Sequence, residues 1–212
     1  RIGDLINNDS LLDRIKDVLA IKNKIITRVY DGNATIPEEI YEKCLAWRDA
    51  LRPYLCPTEL LLHDALSSNE RVLIEGAQGT MLDMDHGTYP YVTSSSPSVG
   101  GIYTGLGISP RTVVEVTGVF KAYTTRVGSG AFPSEMEDAL GNDFREKAQE
   151  FGATTGRSRR VGWFDAVSAR YSAVINDFTS AIVNKLDMLD GLDSIKICIG
   201  YDVDGQIIDK FP

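Results

Sequence analysis

Cysteine is scarce in this chain: Cys44, Cys56 and Cys198 stand far apart, with no CxxC pair. That excludes a dense disulfide framework and a cysteine zinc ribbon, and it fits a reducing compartment better than secretion. Histidine is scarcer still, with only His63 and His86. Basic residues are in the minority, 22 Lys and Arg against 30 Asp and Glu, for a formal net charge of -8. A general nucleic-acid binder needs a basic face, so no nucleic-acid partner is expected. No apolar run approaches the roughly 20 residues of a membrane helix, so no membrane partner is expected either. The opening RIGDLINNDS has no apolar segment of the signal-peptide kind. No P-loop of the form GxxxxGK[ST] occurs. These absences lead to the expectation of a soluble, cytoplasmic protein. The chain opens on Arg1 rather than Met, in the middle of a pattern, which reads as a piece of a longer chain.

What is present suits a globular core: 43% of the 212 residues are hydrophobic and 25% charged. In residues 9–29, Leu11, Leu12, Ile15, Val18, Leu19, Ile25 and Ile26 fall on one helical stripe, with Asp9 or Ser10 as cap. Pro37 opens a second helix to about Leu51, and Pro57-Thr58 a third. Residues 1–68 are therefore expected to form a helical subdomain, and 69–212 the central part of an α/β domain. Within residues 71–79, Val72, Leu73 and Ile74 read as a buried strand, and Gly76, Gln78 and Gly79 follow at once. Such a strand end is where open α/β sheets bind ligands, although a plain strand-to-helix turn reads equally well. Residues 81–110 are expected to be mostly loop, with a Thr93-Ser94-Ser95 hydroxyl cluster. Asp83, Asp85 and His86 hint at a metal, but a structural role is preferred for want of a partner elsewhere. Residues 112–124 read as a strand, 136–150 as a surface helix, and Trp163 to Val183 as one long helix. Residues 194–205 read as a strand, an Asp204-Gly205 turn and the start of another strand. The class expected is α/β, with a central mainly parallel, mixed sheet.

Two motifs carry chemistry. FGATTGRSRRVGW, residues 151–163, concentrates Arg157, Arg159 and Arg160 among glycines and threonines in an acidic chain. It reads as a loop whose guanidinium forks suit phosphate or carboxylate, or else as a solvated basic turn. Asn184-Lys185-Leu186-Asp187 matches NKxD, the guanine-reading tetrapeptide of many GTP-binding proteins. An aspartate accepts from N1–H and the exocyclic N2–H of guanine, and adenine offers neither donor. A site built for those donors discriminates strongly.

In order and spacing, IEGAQGTMLDMDHGTYPYVTSSSPSVGG, VTGVFKAYTTRVGSGAFPSE, FGATTGRSRRVGWFD and NKLDMLDG resemble adenylosuccinate synthetase, which joins IMP and L-aspartate using GTP. The resemblance runs from about Arg71 to Tyr201 and more loosely through the N-terminal helices. It implies a P-loop-NTPase-like synthetase fold and a homodimer. It assigns Gln78, Thr93 and Arg157 to IMP. The aspartate loop becomes Ala153, Thr154, Thr155, Gly156, Arg157, Ser158 and Arg159. Arg159 also faces GTP, and Lys185, Leu186 and Asp187 hold the guanine. The implied mechanism moves the γ-phosphoryl of GTP to O6 of IMP, and the aspartate amine then displaces phosphate from C6.

The family's glycine-rich loop GDEGKGK, with its aspartate base and magnesium contact, does not occur in this chain. Nor does the family's histidine acid, a role assigned neither to His63 nor to His86. No catalytic or metal residue is therefore assigned here; the base, the acid and the Mg2+ ligands are expected upstream of Arg1. Ser158 replaces a basic residue common in the family's loop. The chain alone is expected to be inactive. The rival readings are a GTP-binding module without synthetase chemistry and an interaction domain that uses its helical third.

Overall fold

The computed structural model of the chain describes residues 1–7, 9–136, 138–152 and 156–212. They divide into two units, Arg1–Leu61 and Leu62–Pro212. The first unit holds α1 (Ile2–Asn7), α2 (Leu11–Val29) and α3 (Pro37–Leu51), and the division falls inside α4 (Thr58–Ser67). On α2 the expected stripe is only half-buried: Leu11, Leu12, Ile15, Leu19 and Ile26 are partly covered, whereas Val18 and Ile25 are exposed. The reason is that α2 packs on α3 along one side, so the rim of its apolar face stays in solvent. Asn23 closes the connection to α3. Its Nδ2 donates to the Thr35 carbonyl at 2.8 Å, and its Oδ1 accepts from the Thr35 amide at 2.9 Å. Pro37 sits in the first turn of α3, where a missing N–H costs nothing.

The second unit is α/β, with parallel and antiparallel pairing, and includes the short helix α5 (Gly100–Leu106). Its described strands form three small sheets. β1 (Thr117–Lys121) lies parallel to β4 (Ser180–Asn184). β2 (Tyr123–Arg126) runs antiparallel to β3 (Arg160–Asp165), and β3 runs parallel to β5 (Ile197–Cys198). β6 (Tyr201–Val203) and β7 (Gln206–Ile208) form the hairpin expected around Asp204-Gly205. The chain passes from β1 to β2 at Ala122, whose N–H donates to the Asn184 carbonyl at 2.9 Å.

Three sequence expectations are corrected. Val72–Ile74 forms no strand among the described residues, and Leu73 is 94% exposed. An apolar run becomes a strand only where a neighbour takes its backbone groups, and no described strand pairs with it. The strand expected over 112–124 begins only at Thr117 and bends at Ala122. Trp163 to Val183 is not one helix but β3, α7 (Ala166–Asn176) and β4. Asp165 stops the strand and caps α7, its Oδ1 accepting from the Val167 and Ser168 amides, both at 3.0 Å. Asp177, in the left-handed region at φ 50°, ends the helix.

The core gathers Ala122, Tyr123, Met136, Phe144, Ala148, Val161 and Leu189. α6 (Asp138–Ala148) is polar over most of its surface, as expected, yet Gly141, Phe144 and Ala148 form a narrow buried stripe. Phe144 meets Tyr123 edge to face at 4.8 Å between ring centroids. α6 thus rests on β2 and β3, immediately before the arginine loop.

Candidate functional site

Two groups of side chains form in the second unit. The first is built on residues 78–99. Gln78 adopts φ 75°, and its Oε1 accepts from Ser95 Oγ at 2.9 Å and Thr93 Oγ1 at 3.3 Å. The single Thr93 hydroxyl proton is shared with the Leu82 carbonyl, 2.8 Å away. The structure therefore brings Gln78 and Thr93, 15 positions apart, onto one polar patch. Asp83 organises this segment. Its carboxylate accepts from the amides of Asp85, His86 and Ser98 and, at 2.6 Å, from the Ser98 hydroxyl. Burial pushes this carboxyl up, but these donors outweigh it and hold the group at about 2. Asn176 on α7 anchors the same segment, donating to Thr80 Oγ1 and accepting from the Val99 amide, both at 2.8 Å.

The second group surrounds Glu150, the residue before the arginine loop. Its side chain is 1% exposed and carries three cations: Lys121 Nζ at 2.9 Å, Arg159 at 2.8 Å and Lys185 Nζ at 3.3 Å. The Tyr123 hydroxyl donates to the same carboxylate. Burial raises the Glu150 carboxyl, and the Tyr123 and Lys121 hydrogen bonds overcome it and hold the group at about 2. Burial lowers the Lys121 ammonium, against the support of Glu150. The Tyr123 hydroxyl is raised by burial and then by the adjoining carboxylate. Lys185 makes the longest of the three contacts and is 42% exposed, so it is the least tightly held.

The arginines expected to act together have separate surroundings. Arg159 binds Glu150 Oε2 with one end of its fork, while its Nε is buried without a hydrogen-bond partner. Its amide donates to the Glu150 carbonyl at 3.0 Å, and Gly152 N–H donates to the Arg157 carbonyl at 2.8 Å, forming a short ladder of residues 150–152 against 157–159. Phe151 and Ser158 bridge across it. Gly156 sits at φ 64°, and Gly156, Arg157 and Ser158 are exposed. Ala153, Thr154 and Thr155 lie outside the described residues. Arg160 belongs to β3, correcting the expectation that the whole of 151–163 is loop. It forms a two-pronged pair with Glu135 and donates to the Gly130 carbonyl at 2.8 Å, which fixes the 128–135 turn. Its guanidinium therefore serves the fold.

The NKxD residues begin on Asn184, the last residue of β4, beside its parallel partner β1. Lys185 takes φ 57°, turning the chain into a short 3-10 segment, Leu186–Leu189. Leu189 is buried in the core, whereas Leu186 and Asp187 face outward. Asp187 is thus an exposed carboxylate on a fixed turn.

Sequence reading missed Glu150, Lys121 and Tyr123. The one signal for them was the alternation of Lys121 and Tyr123 in a strand, which places two polar groups on one side. Among the described residues no cluster of three or more His, Cys, Asp or Glu could hold a metal ion. Asp83, the best acid near His86, is fully used by its four donors. None of the residues described here is therefore assigned to the magnesium that the resemblance implies.

The adenylosuccinate synthetase family model matches residues 1–212. Among curated relatives of that name, the Nocardioides sp. protein is 48% identical over 212 residues, 100% of this chain and 49% of its own. That of Caldicellulosiruptor bescii is 47% identical over 100% of this chain and 50% of its own. The chain thus spans about half the length of the curated relatives it matches. Among solved structures, fully ligated adenylosuccinate synthetase from Plasmodium falciparum superposes with a TM-score of 0.82 at 36% identity, over 95% of this chain and 49% of that one. The cyanophage S-2L succinoaminodeoxyadenylate synthetase shares the fold at a TM-score of 0.52 and 21% identity, over 72% of this chain and 51% of that one. With the match extending over all 212 residues, the chain belongs to the adenylosuccinate synthetase family.

Proposed function

We propose that the protein joins IMP and L-aspartate at the expense of GTP, and that this chain supplies much of the binding surface. One observation carries the reading most directly. The 156–159 segment and the Lys185–Asp187 turn, expected on separate grounds to hold substrates, converge through Arg159 and Lys185 on one buried carboxylate. Asp187, exposed on a fixed turn, accepts the two guanine donors. The Lys185 ammonium is engaged at its base, which leaves the aliphatic stem to lie along the guanine face. Arg159, with an unpaired Nε, and the exposed Arg157 supply positive charge for phosphoryl and carboxylate oxygens. Gln78 and Thr93 offer donors and acceptors for IMP.

In the first step N1 of IMP gives up its proton, the bond from the γ-phosphorus of GTP to its bridging oxygen breaks, and one to O6 of IMP forms, releasing GDP. In the second, the aspartate nitrogen bonds to C6, phosphate leaves with O6, and the nitrogen gives up a proton. The proton-transfer groups and the magnesium ligands belong to the other half of the relatives' length. A cytoplasmic homodimer is part of the same reading.

The test uses the full-length protein. Wild type should form adenylosuccinate only when GTP, IMP and aspartate are all supplied. Asp187→Asn should lower kcat/KM for GTP by about 100-fold or more and narrow the preference over ATP. GTP binding that is indifferent to IMP and aspartate, without turnover, would instead identify a regulatory GTP module.

A further inference from the structure

Glu150 collects four donors from four segments of the second unit: the end of β1, the start of β2, the residue before β3 and the turn after β4. Such a carboxylate does more than neutralise a neighbour. Three cations face a single buried acid, so without it they would repel one another in a partly dry site. The two longest lever arms end at residues the proposed function needs. Arg159 is held twice by Glu150, through its guanidinium on Oε2 and through its amide on the backbone carbonyl, and so fixes residues 157–159 against 150–152. Lys185 is held through its ammonium. It is also the left-handed residue that turns β4 into the Leu186–Leu189 segment, so its anchorage sets where Asp187 stands. Tyr123, buried between Phe144 and Glu150, keeps the carboxylate from rotating.

We propose that Glu150 is a positioning residue that ties the guanine-reading turn to residues 156–159, the described part of the proposed aspartate-binding segment, so that the two sites are set together. The inference rests on the synthetase reading above. Glu150 touches no substrate; it acts through Arg159 and Lys185. A merely structural Glu150 would reduce the amount of folded enzyme and leave the affinities of the surviving molecules alone. A positioning Glu150 sets affinities, and for two chemically unrelated ligands at once.

The experiment measures steady-state kinetics of full-length wild type and Glu150→Gln, varying GTP, IMP and L-aspartate in turn. The substitution keeps the shape and removes the charge. The expected result is a rise of about tenfold or more in KM for both GTP and aspartate, the scale on which one strong interaction with each ligand weakens. Lys185→Met combined with Glu150→Gln should raise KM for GTP by less than the product of the two separate changes, because the residues act as one unit. Tyr123→Phe, which deletes a single hydroxyl, should raise the same two KM values by a smaller factor, and it serves as the reporter if Glu150→Gln fails to fold. A lowered kcat with both KM values unchanged overturns the proposal. So does a shift confined to one of the two ligands, or a purely multiplicative double variant. If wild type itself shows no turnover dependent on GTP, IMP and aspartate, the synthetase reading fails instead, which is a separate outcome.

Discussion

Two buried carboxylates show what single residues decide here. Asp83 and Glu150 are each 1% exposed, and each is held at about 2 by its donors, against ordinary values of 3.8 and 4.5. A carboxyl depressed in the folded state contributes stability that is fully present above its unfolded value. That stability is lost as pH falls towards the folded one. For Asp83 the window lies between about 4 and about 2. Wild type should therefore exceed Asp83→Asn in urea midpoint at pH 7, and the gap should close as the pH is lowered through that window. A gap independent of pH would mean that the Asp83 charge has no part in holding residues 83–98. Asp83 was visible in the sequence, but a carboxylate that collects backbone N–H groups looks the same there as one that binds a metal. Glu150 left no trace, since a Glu at the end of a polar helix gives no sign of burial.

At the scale of elements, amphipathic helices and the Asp-Gly hairpin were legible because local period and turn chemistry decide them. The failures came where tertiary pairing decides. Trp163, Val167, Tyr171, Val174, Phe178 and Ile182 repeat at helical spacing, yet only the middle of that span is helix. The Asp165 cap and the left-handed Asp177 were the signals to weigh against the repeat. Val72–Ile74 has strand composition but no described strand beside it. α6 tests how an element is held. Its polar outer face contributes little, and its attachment runs through Gly141, Phe144 and Ala148. Phe144→Ala should cost about 3–5 kcal/mol by denaturant unfolding, since the cavity beside Tyr123 and Met136 cannot readily collapse. A cost under about 1 kcal/mol would mean that α6 is secured in some other way.

For the molecule as a whole, family and α/β class were readable from four long motifs, but the layout of strands over three sheets was not. Parallel partners such as β1 and β4 lie more than 60 residues apart, and nothing local announces which strands meet. The chain spans about half the length of its relatives, and the proposed function gives its site residues binding roles and no proton transfer. The 212 residues alone should therefore form no adenylosuccinate from GTP, IMP and aspartate in a chromatographic assay, and robust turnover would refute this. The Glu150 cluster has one more consequence. The chain is acidic, with a formal net charge of -8, yet around Glu150 three cations meet a single acid. A polyanion approaching from afar is repelled by the whole and drawn in only within about a Debye length, ~8 Å at physiological ionic strength. Moderate salt thus hastens its arrival by screening the outer repulsion, while the short-range attraction, partly shielded from solvent, survives. Capture of a polyanion by this chain should be fastest at intermediate ionic strength, the reverse of a protein that steers its ligand from a distance.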